Sequence, residues 1–300
     1  MNKHIKIIIF ILFNVMLILA IQYILDTIYV RKSNQKFTKI FHHQIDKKIM
    51  IFGSSIAYHL FSPDIISTKT NMPTYNMGWD GIFFVQYNAL LKEYISYAKE
   101  CKYMVIACDF ENLGKNKLIS RPDLFYAYLN NTFVYQSLQE IEPNKVVLAK
   151  YLPGYKITLL NKTFYRTVFL PVTPISKDDG FDPVASDSFQ VTVNEPFNAR
   201  FEDQIYKEFS ATIKEITEKG IKVIIVMTPV YKDGYQLILN ANEIKNKYKS
   251  LTNKDVFFID YTTDTICLNK NLFYNYAHLN SKGATVFSTM FADSLVKIIK

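Results

Sequence analysis

A long apolar run without formal charge stands near the amino terminus and limits what this chain can fold into. It extends from Ile7 to Leu25, and as an α-helix it would be about 28 Å long, close to the thickness of a bilayer's hydrocarbon core. A core helix of a soluble protein would carry a polar stripe, whereas only Asn14 and Gln22 interrupt this run. No A-x-A-like site follows it, and it exceeds the usual length of a cleavable signal peptide's apolar region. We therefore predict a transmembrane signal-anchor over residues 1–30.

The charges flanking this run favour one orientation of the anchor. Cationic residues after the run outnumber those before it: Arg31, Lys32, Lys36 and Lys39 follow, and Lys3 and Lys6 precede. Because positive charge collects on the cytoplasmic side of a membrane segment, this count places the carboxyl side in the cytoplasm. Residues 31–48 then form a polar connector to a domain that begins at Ile49.

Composition and charge exclude several classes of protein. The chain has 300 residues, 49% hydrophobic and 21% charged, as in globular domains. The formal charge of +8 is spread over many segments, which argues against a nucleic-acid surface and suits an anionic neighbourhood such as a membrane or an acidic polymer. Cys101, Cys108 and Cys267 show no C-x-x-C spacing, and sequence leaves a pairing of the first with the last open. We expect neither a metal nor a cofactor.

Strand and helix patterns alternate along the rest of the chain. Short apolar runs predict strands, at 49–52, 103–108, 223–227 and 256–259. Apolar residues at helical spacing predict helices, at 82–98, 202–219 and 281–299, the last one capped by Asn280 or Ser281. This alternation predicts an α/β fold with a mainly parallel sheet covered by helices on both faces.

The predicted domain over residues 49–300 contains one stretch that fits neither pattern. From about 114 to 196 the periodicity is poor, and prolines and the polar turn SKDDG at 176–180 interrupt the chain. We expect an irregular insertion here. Such a segment inside a compact domain is usually a lid, a binding surface or a mobile loop.

A serine pair follows the first predicted strand. In open α/β sheets, ligands bind outside the carboxyl ends of the strands, which is where Gly53-Ser54-Ser55 lies. A serine at this strand-to-helix turn can present its hydroxyl to a cleft, and nearby amides can stabilise an oxyanion. Taken alone, the motif is explained as well by a serine that caps the next helix.

One histidine occupies a comparable place near the carboxyl terminus. His278 lies in the segment Asn275-Tyr276-Ala277-His278-Leu279-Asn280, directly before the last predicted helix. His59, by contrast, falls one turn after Ser55 on the same predicted helix. A lone histidine before a helix is more often a solvated polar residue than a catalytic base.

Together, the serine and histidine motifs resemble the blocks of the SGNH/GDSL hydrolase superfamily, over roughly residues 49–112 and 200–300. The resemblance implies a flavodoxin-like three-layer fold, with Ser55 as nucleophile and His278 as base. The Tyr75–Gly78 segment, Tyr-Asn-Met-Gly, fits the second block, so the amides of Ser55 and Gly78 would hold the oxyanion. Asn275 stands where the family has aspartate, and the third block, Gly-x-Asn-Asp, is absent, with Asn112 as a substitute donor.

The anchor and these motifs together resemble the membrane-tethered branch of the superfamily, which includes proteins of lipoteichoic-acid D-alanylation and alginate acetylation. This implies an extracytoplasmic domain on a bacterial cytoplasmic membrane, which overrides the charge count, beside a membrane-bound O-acyltransferase. It also implies O-acyl transfer or ester hydrolysis on a cell-envelope polysaccharide or glycopolymer through a serine acyl-enzyme, without nucleic acid as a partner.

A second class of function stays open. Asn275 and the absent third block favour a catalytically weak or inactive domain that serves as a binding or assembly subunit, since losing the acid of a triad can cost ~10⁴ in rate. Alternatively, Asp260 or Asp264, after the preceding predicted strand, supplies the carboxylate that supports His278.

Overall fold

The computed structural model describes residues 2–32, 35–171, 179–186 and 188–299. They form two compact units, one from the described residues within Met1–His42 and Lys117–Ser176 and the other from those within His43–Asn116 and Lys177–Lys300. In chain order the helices are α1 Lys3–Lys32, α2 Gln35–Phe41, α3 Ser55–Leu60, α4 Pro63–Thr70, α5 Phe84–Tyr97, α6 Pro122–Phe125, α7 Thr132–Ile141, α8 Pro143–Tyr151, α9 Tyr155–Leu159, α10 Lys162–Phe169, α11 Asp203–Glu218, α12 Lys232–Tyr235, α13 Ala241–Lys249 and α14 Ser281–Ile299. Short 3₁₀ helices cover Tyr126–Tyr128, Thr265–Leu268 and Lys270–Leu272.

A parallel sheet forms the centre of the second unit. Its strands are β1 Ile49–Phe52, β2 Thr74–Asn76, β3 Tyr103–Cys108, β4 Lys222–Met227 and β5 Val256–Asp260. Their order is β2-β1-β3-β4-β5, and every neighbouring pair is parallel. The predicted α/β fold is therefore confirmed. The sequence patterns missed β2, because its three residues, Thr-Tyr-Asn, contain no apolar run.

Helices cover both faces of this sheet, which explains why its central strands are apolar on both sides. On one face, Ile51 and Val105 pack with α3 and with Phe287 and Phe291 of α14. On the other face, α5 and α11 cover the sheet, and Phe52 contacts Tyr94 with ring centroids 5.7 Å apart. The helices predicted at 82–98, 202–219 and 281–299 correspond to α5, α11 and α14, and each predicted end lies within two residues of the observed end.

The first unit is helical. It joins α1 and α2 to α6 through α10, so the segment predicted to be an irregular insertion contains several short helices between residues 122 and 169. Their length, four to ten residues, explains why no long periodicity marks them. The predicted connector is also partly helical, because it contains α2, whose Phe37 and Ile40 are buried.

The apolar run of the predicted membrane anchor lies within α1. This helix is long and apolar enough to cross a membrane, and none of its most apolar window is buried in the protein. Asn14 satisfies its amide inside the helix by donating to the Phe10 carbonyl at 2.7 Å, which suits a polar side chain in an apolar segment. All three cysteines are free and buried, so Cys101 and Cys267 do not pair.

Candidate active site

Ser55 lies at the first residue of α3, directly after the turn that leaves β1. The turn depends on Gly53, whose φ of +153° is a conformation that other residues rarely adopt. A Cβ at this position would also lie 2.8 Å from the carbonyl oxygen of Ala107 on β3. The glycine thus lets the chain leave the sheet close to β3 and places the serine at the carboxyl ends of two neighbouring strands.

Ser55 and His278 form a hydrogen-bonded pair although they are 223 positions apart in the chain. The distance between Ser55 Oγ and His278 Nε2 is 2.8 Å. The histidine is held in a short loop that is closed by a bridge between Phe273 and Leu279. The next residue, Asn280, caps α14 by accepting from the Gly283 amide at 3.0 Å, one of the two caps predicted.

Asn275 fixes the orientation of the histidine ring. Its Oδ1 accepts from the backbone amides of Ala277 and His278, at 2.9 and 2.8 Å, and lies 3.1 Å from His278 Nδ1. Because the two amides can only donate, the oxygen of the Asn275 side chain must face the ring, and Nδ1 must carry the proton that it accepts. Nε2 is then unprotonated and accepts the hydroxyl proton of Ser55.

The surroundings of His278 keep the ring neutral. Burial and, to a smaller extent, the neighbouring His59 together lower the pKa of His278 to about 4, while Asp80 opposes both effects. The His59 ring centroid is 6.1 Å from that of His278. A neutral imidazole at physiological pH is the form that can act as a general base.

Neither of the two carboxylates proposed as alternative supports contacts this ring. Asp260 accepts from the backbone amide and hydroxyl of Thr262 and pairs with Lys245 at 3.3 Å. Asp264 accepts from the Ile266 amide at the start of a 3₁₀ helix. The hypothesis that Asp260 or Asp264 supports His278 is therefore wrong. Within the described part of the chain, Asn275 is the hydrogen-bond partner of Nδ1.

Gly78 has a structural role instead of the predicted oxyanion role. Its amide donates to Asn76 Oδ1 at 2.8 Å, and Gly78 does not line the cavity beside Ser55. A Cβ at this glycine would lie 2.4 Å from the Tyr58 amide nitrogen and 2.5 Å from Ala57 Cβ. Glycine is needed here because the loop after β2 presses directly against α3. We therefore withdraw Gly78 from the predicted oxyanion donors.

Asn76, which sequence analysis did not single out, joins this loop to α3. It is fully buried. Its Nδ2 donates to the carbonyls of Ala57 and Phe61, at 2.6 and 2.9 Å. Both carbonyls belong to or directly follow the helix that carries Ser55. Asn76 thus positions α3, and no sequence pattern identifies such a role, because it depends on which carbonyls the fold brings near.

Asn112 lies beside the cavity, as its predicted role requires. Its Oδ1 accepts from the Tyr87 hydroxyl at 2.8 Å, which orients Nδ2 as a donor. Nδ2 is 3.6 Å from Cys108 Sγ, a weak acceptor. Asn112 also makes a side-chain hydrogen bond with Tyr248, and the residue lines the same cavity as Ser55.

A cavity of about 380 Å³ opens beside Ser55 and His278 at the carboxyl ends of β1 and β3. After β1 the chain goes first to β2 on one side of β1 and then to β3 on the other side. Open α/β sheets bind ligands at such a point, where the strand order reverses. Most of its wall is apolar, from Ile82, Phe83, Phe110, Val193, Phe197 and Ile238. Thr192 and Val193 come from the predicted insertion, so part of that segment lines the cavity.

Two polar side chains in the cavity wall, those of Asp109 and Ser54, are shielded from water. Burial raises the pKa of Asp109 to about 6, with Glu111 adding to the shift. Ser54 is nearly buried, and among the described residues its Oγ has no hydrogen-bond partner. No group of three or more His, Cys, Asp or Glu side chains in the described ranges is placed to hold a metal ion.

Comparison with known proteins adds little to this geometry. No protein-family model and no curated protein matches the chain. One solved structure that matches is described as "a putative platelet activating factor from Streptococcus pneumonia". It shares 13% identity, covers 92% of this chain and 98% of its own, and superposes with a TM-score of 0.46. A likeness of this size carries no argument about function.

Proposed function

We propose that this protein cleaves or transfers an ester-linked acyl group through an acyl-enzyme at Ser55, in the manner of the SGNH/GDSL superfamily. The observation that supports this best is the hydrogen bond of 2.8 Å between Ser55 Oγ and His278 Nε2, with Nδ1 held by Asn275. A nucleophile, a neutral base and a group that orients the base are the parts that serine acyl chemistry needs.

The reaction follows from these contacts. Ser55 Oγ attacks the ester carbonyl carbon while its proton moves to His278 Nε2, and the ester C–O bond breaks as His278 returns that proton to the leaving alkoxide. Water or a sugar hydroxyl then gives a proton to His278 and attacks the acyl carbon, and the bond from that carbon to Ser55 Oγ breaks as His278 returns the proton to Oγ. The Ser55 amide and Asn112 Nδ2 are the candidates to hold the oxyanion.

The cavity beside Ser55 is the proposed binding site for the acyl portion of the substrate. An apolar wall beside the nucleophile suits a hydrocarbon chain, since each buried methylene contributes about 0.8 kcal/mol to binding. A volume of about 380 Å³ lies in the range of small-molecule sites.

Hydrolysis of a p-nitrophenyl ester by the purified protein tests this proposal. Ser55→Ala should abolish hydrolysis while leaving the unfolding transition in place. Ser54→Ala is the matched control, because it removes a hydroxyl from the adjacent cavity residue without removing the group bonded to His278. It should keep most of the activity. Unchanged hydrolysis by Ser55→Ala would contradict the proposal.

We extend the proposal to the acceptor and the location. The apolar helix α1 supports a membrane-anchored protein, and we infer an outward-facing domain that acylates or deacylates a cell-envelope polysaccharide or glycopolymer beside a membrane-bound O-acyltransferase. Protease added to intact bacterial spheroplasts should digest the domain. Full protection until lysis would instead support the orientation given by the flanking charges.

A second candidate is a binding or assembly subunit that has kept the fold. The observation that favours it is Asn275, a neutral amide where an acid partner would stabilise the imidazolium. A fluorophosphonate probe separates the two candidates. A domain that only binds will not react, whereas the proposed enzyme will be labelled at Ser55 and will lose the label in Ser55→Ala.

A further inference from the structure

The turn between α8 and α9 contacts α1 inside its apolar run. The Gly154 amide donates to Gln22 Oε1 at 3.3 Å, and a Cβ on Gly154 would lie 2.9 Å from Ile18 Cγ2. The apolar run ends at Leu25. At the rise of an α-helix, Gln22 and Ile18 lie about 4.5 and 10 Å before that end. The turn therefore lies alongside a part of α1 that a membrane would enclose.

Further contacts give the direction of the chain after this turn. Lys156 pairs with Asp26, and the rings of Phe164 and Tyr29 stack with centroids 4.6 Å apart. Lys32 Nζ then donates to the Val168 carbonyl at 2.9 Å. From residue 154 to residue 168 the chain thus follows α1 toward its carboxyl end and away from the apolar run.

Large apolar side chains are exposed next to the same turn. Tyr151 and Leu152 are 67% and 49% exposed, and Leu148, one helical turn earlier, is 41% exposed. The inward positions of α8, Val146 and Ala149, are buried. The end of this helix therefore exposes a cluster of apolar side chains, which is unusual for a surface in contact with water. The charged side chain among them, Lys150, is half-buried, with its Nζ 3.8 Å from the centroid of the Tyr135 ring.

We propose that the end of α8 and the α8–α9 turn, residues 148–154, insert into the bilayer beside α1, in the half of the membrane nearest the carboxyl end of that helix. The inference rests on the proposed membrane anchor. Lipid acyl chains are the occupant we assign, because the exposed side chains adjoin the contact with Ile18 and Gln22. The depth fits an interfacial segment, which enters about 5–10 Å.

Depth-dependent fluorescence quenching of the full chain in lipid vesicles tests this. An environment-sensitive dye is attached to Leu152→Cys, with Phe169→Cys as the matched control. Phe169 is 69% exposed in the same unit, but it is next to the residues contacted by Lys32, beyond the apolar run. Phe10→Cys, within the run, reports whether α1 itself is embedded. The native cysteines are buried, so the dye is directed to the introduced residue.

Nitroxide on the upper acyl chain of phosphatidylcholine quenches dyes inside the membrane, and iodide quenches dyes in water. We expect the dye at 152 to be quenched by the lipid nitroxide and to be at least several-fold less sensitive to iodide than the dye at 169. A dye at 152 that iodide reaches freely, while position 10 is embedded, overturns this proposal and leaves the anchor standing.

Two other outcomes also overturn it. Protection from both quenchers at 152 would show that protein, such as a second copy of this chain, covers the turn. A dye at position 10 that iodide quenches would overturn the anchor together with the inserted turn. Repeating the measurement with Tyr151→Cys guards against a local disturbance caused by the dye at 152.

Discussion

Replacing Asn275 by aspartate should make this protein a faster acylating enzyme. The side chains have nearly the same shape, and a carboxylate oxygen can accept from the amides of Ala277 and His278 as the Asn275 oxygen now does. The substitution therefore changes charge more than geometry. It supplies the imidazolium that forms during serine attack with the negative partner that the native residue lacks.

The size of the effect follows from the distance between the new charge and the ring. Nδ1 lies 3.1 Å from Asn275 Oδ1. With an effective dielectric constant near 20, two unit charges about 4 Å apart interact by ~4 kcal/mol, which corresponds to ~3 pKa units. The pKa of His278, which burial lowers to about 4, should then rise toward neutrality. We expect acylation to be ~10- to 100-fold faster, below the ~10⁴ that the reverse change costs a serine protease.

Single-turnover acylation by p-nitrophenyl acetate, measured against pH, is the assay. The native rate should change little between pH 5 and 8, because His278 is already neutral above its pKa of about 4. The Asn275→Asp rate should show a new acid limb near neutral pH. Asn275→Ala serves as the control and should be slower than native, since the ring loses its support. A slower Asn275→Asp enzyme, or one with an unmoved pH profile, would refute this reasoning.

Three further predictions follow from the structure. In the folded protein His278 has a pKa of about 4, whereas in the unfolded chain it binds a proton below about pH 6.5. The unfolded state therefore binds more protons between these values, and this group should lower the free energy of unfolding by up to about 3 kcal/mol as pH falls from about 6.5 to about 4. Burial raises the pKa of Asp109 to about 6, so Asp109 changes stability with pH in the opposite direction. Comparing urea unfolding of the native protein with that of His278→Asn isolates the contribution of the histidine. If the free energies of unfolding of the two proteins stay parallel with pH, the assignment is contradicted. Gly78→Ala should lower the free energy of unfolding by about 1–3 kcal/mol and also lower activity, because the new Cβ would lie 2.4 Å from the Tyr58 nitrogen; an unchanged urea midpoint would show that the loop can move aside. Ile238→Trp should reduce kcat/KM for an octanoyl ester ~10-fold more than for an acetyl ester, since it fills the cavity wall at a cost of about 0.8 kcal/mol for each methylene displaced. An equal reduction for both esters would place the acyl chain elsewhere.

The pattern of apolar residues predicted four of the five strands and the three helices that cover the sheet, because each of these elements contains its own hydrophobic run. The strands at 103–108 and 49–52 lie where the sequence predicts them, and α14 begins at the predicted residue. β2 was missed because three polar or aromatic residues at a sheet edge carry no pattern. The short helices between 122 and 169 were missed for a related reason, since each is too brief to show a period of 3.6 residues.

The candidate site was predicted unevenly. The resemblance implies the pairing of Ser55 with His278, and the structure brings the two side chains together. The resemblance misassigned Gly78, because the reason for a glycine is the space around its absent Cβ, which only the packing against α3 reveals. Likewise, the walls contributed by Val193 and Phe197 depend on how a nonperiodic segment folds over the sheet.

The central claim, that Ser55 is a nucleophile activated by His278, is tested most directly by locating the acyl group. The protein is mixed with p-nitrophenyl acetate, quenched with acid within one turnover, digested and analysed by mass spectrometry. The account predicts one acetyl group, on the peptide that contains Ser55, and its loss in both Ser55→Ala and His278→Asn. An acetyl group on another residue, or no adduct while p-nitrophenol is still released, would contradict it.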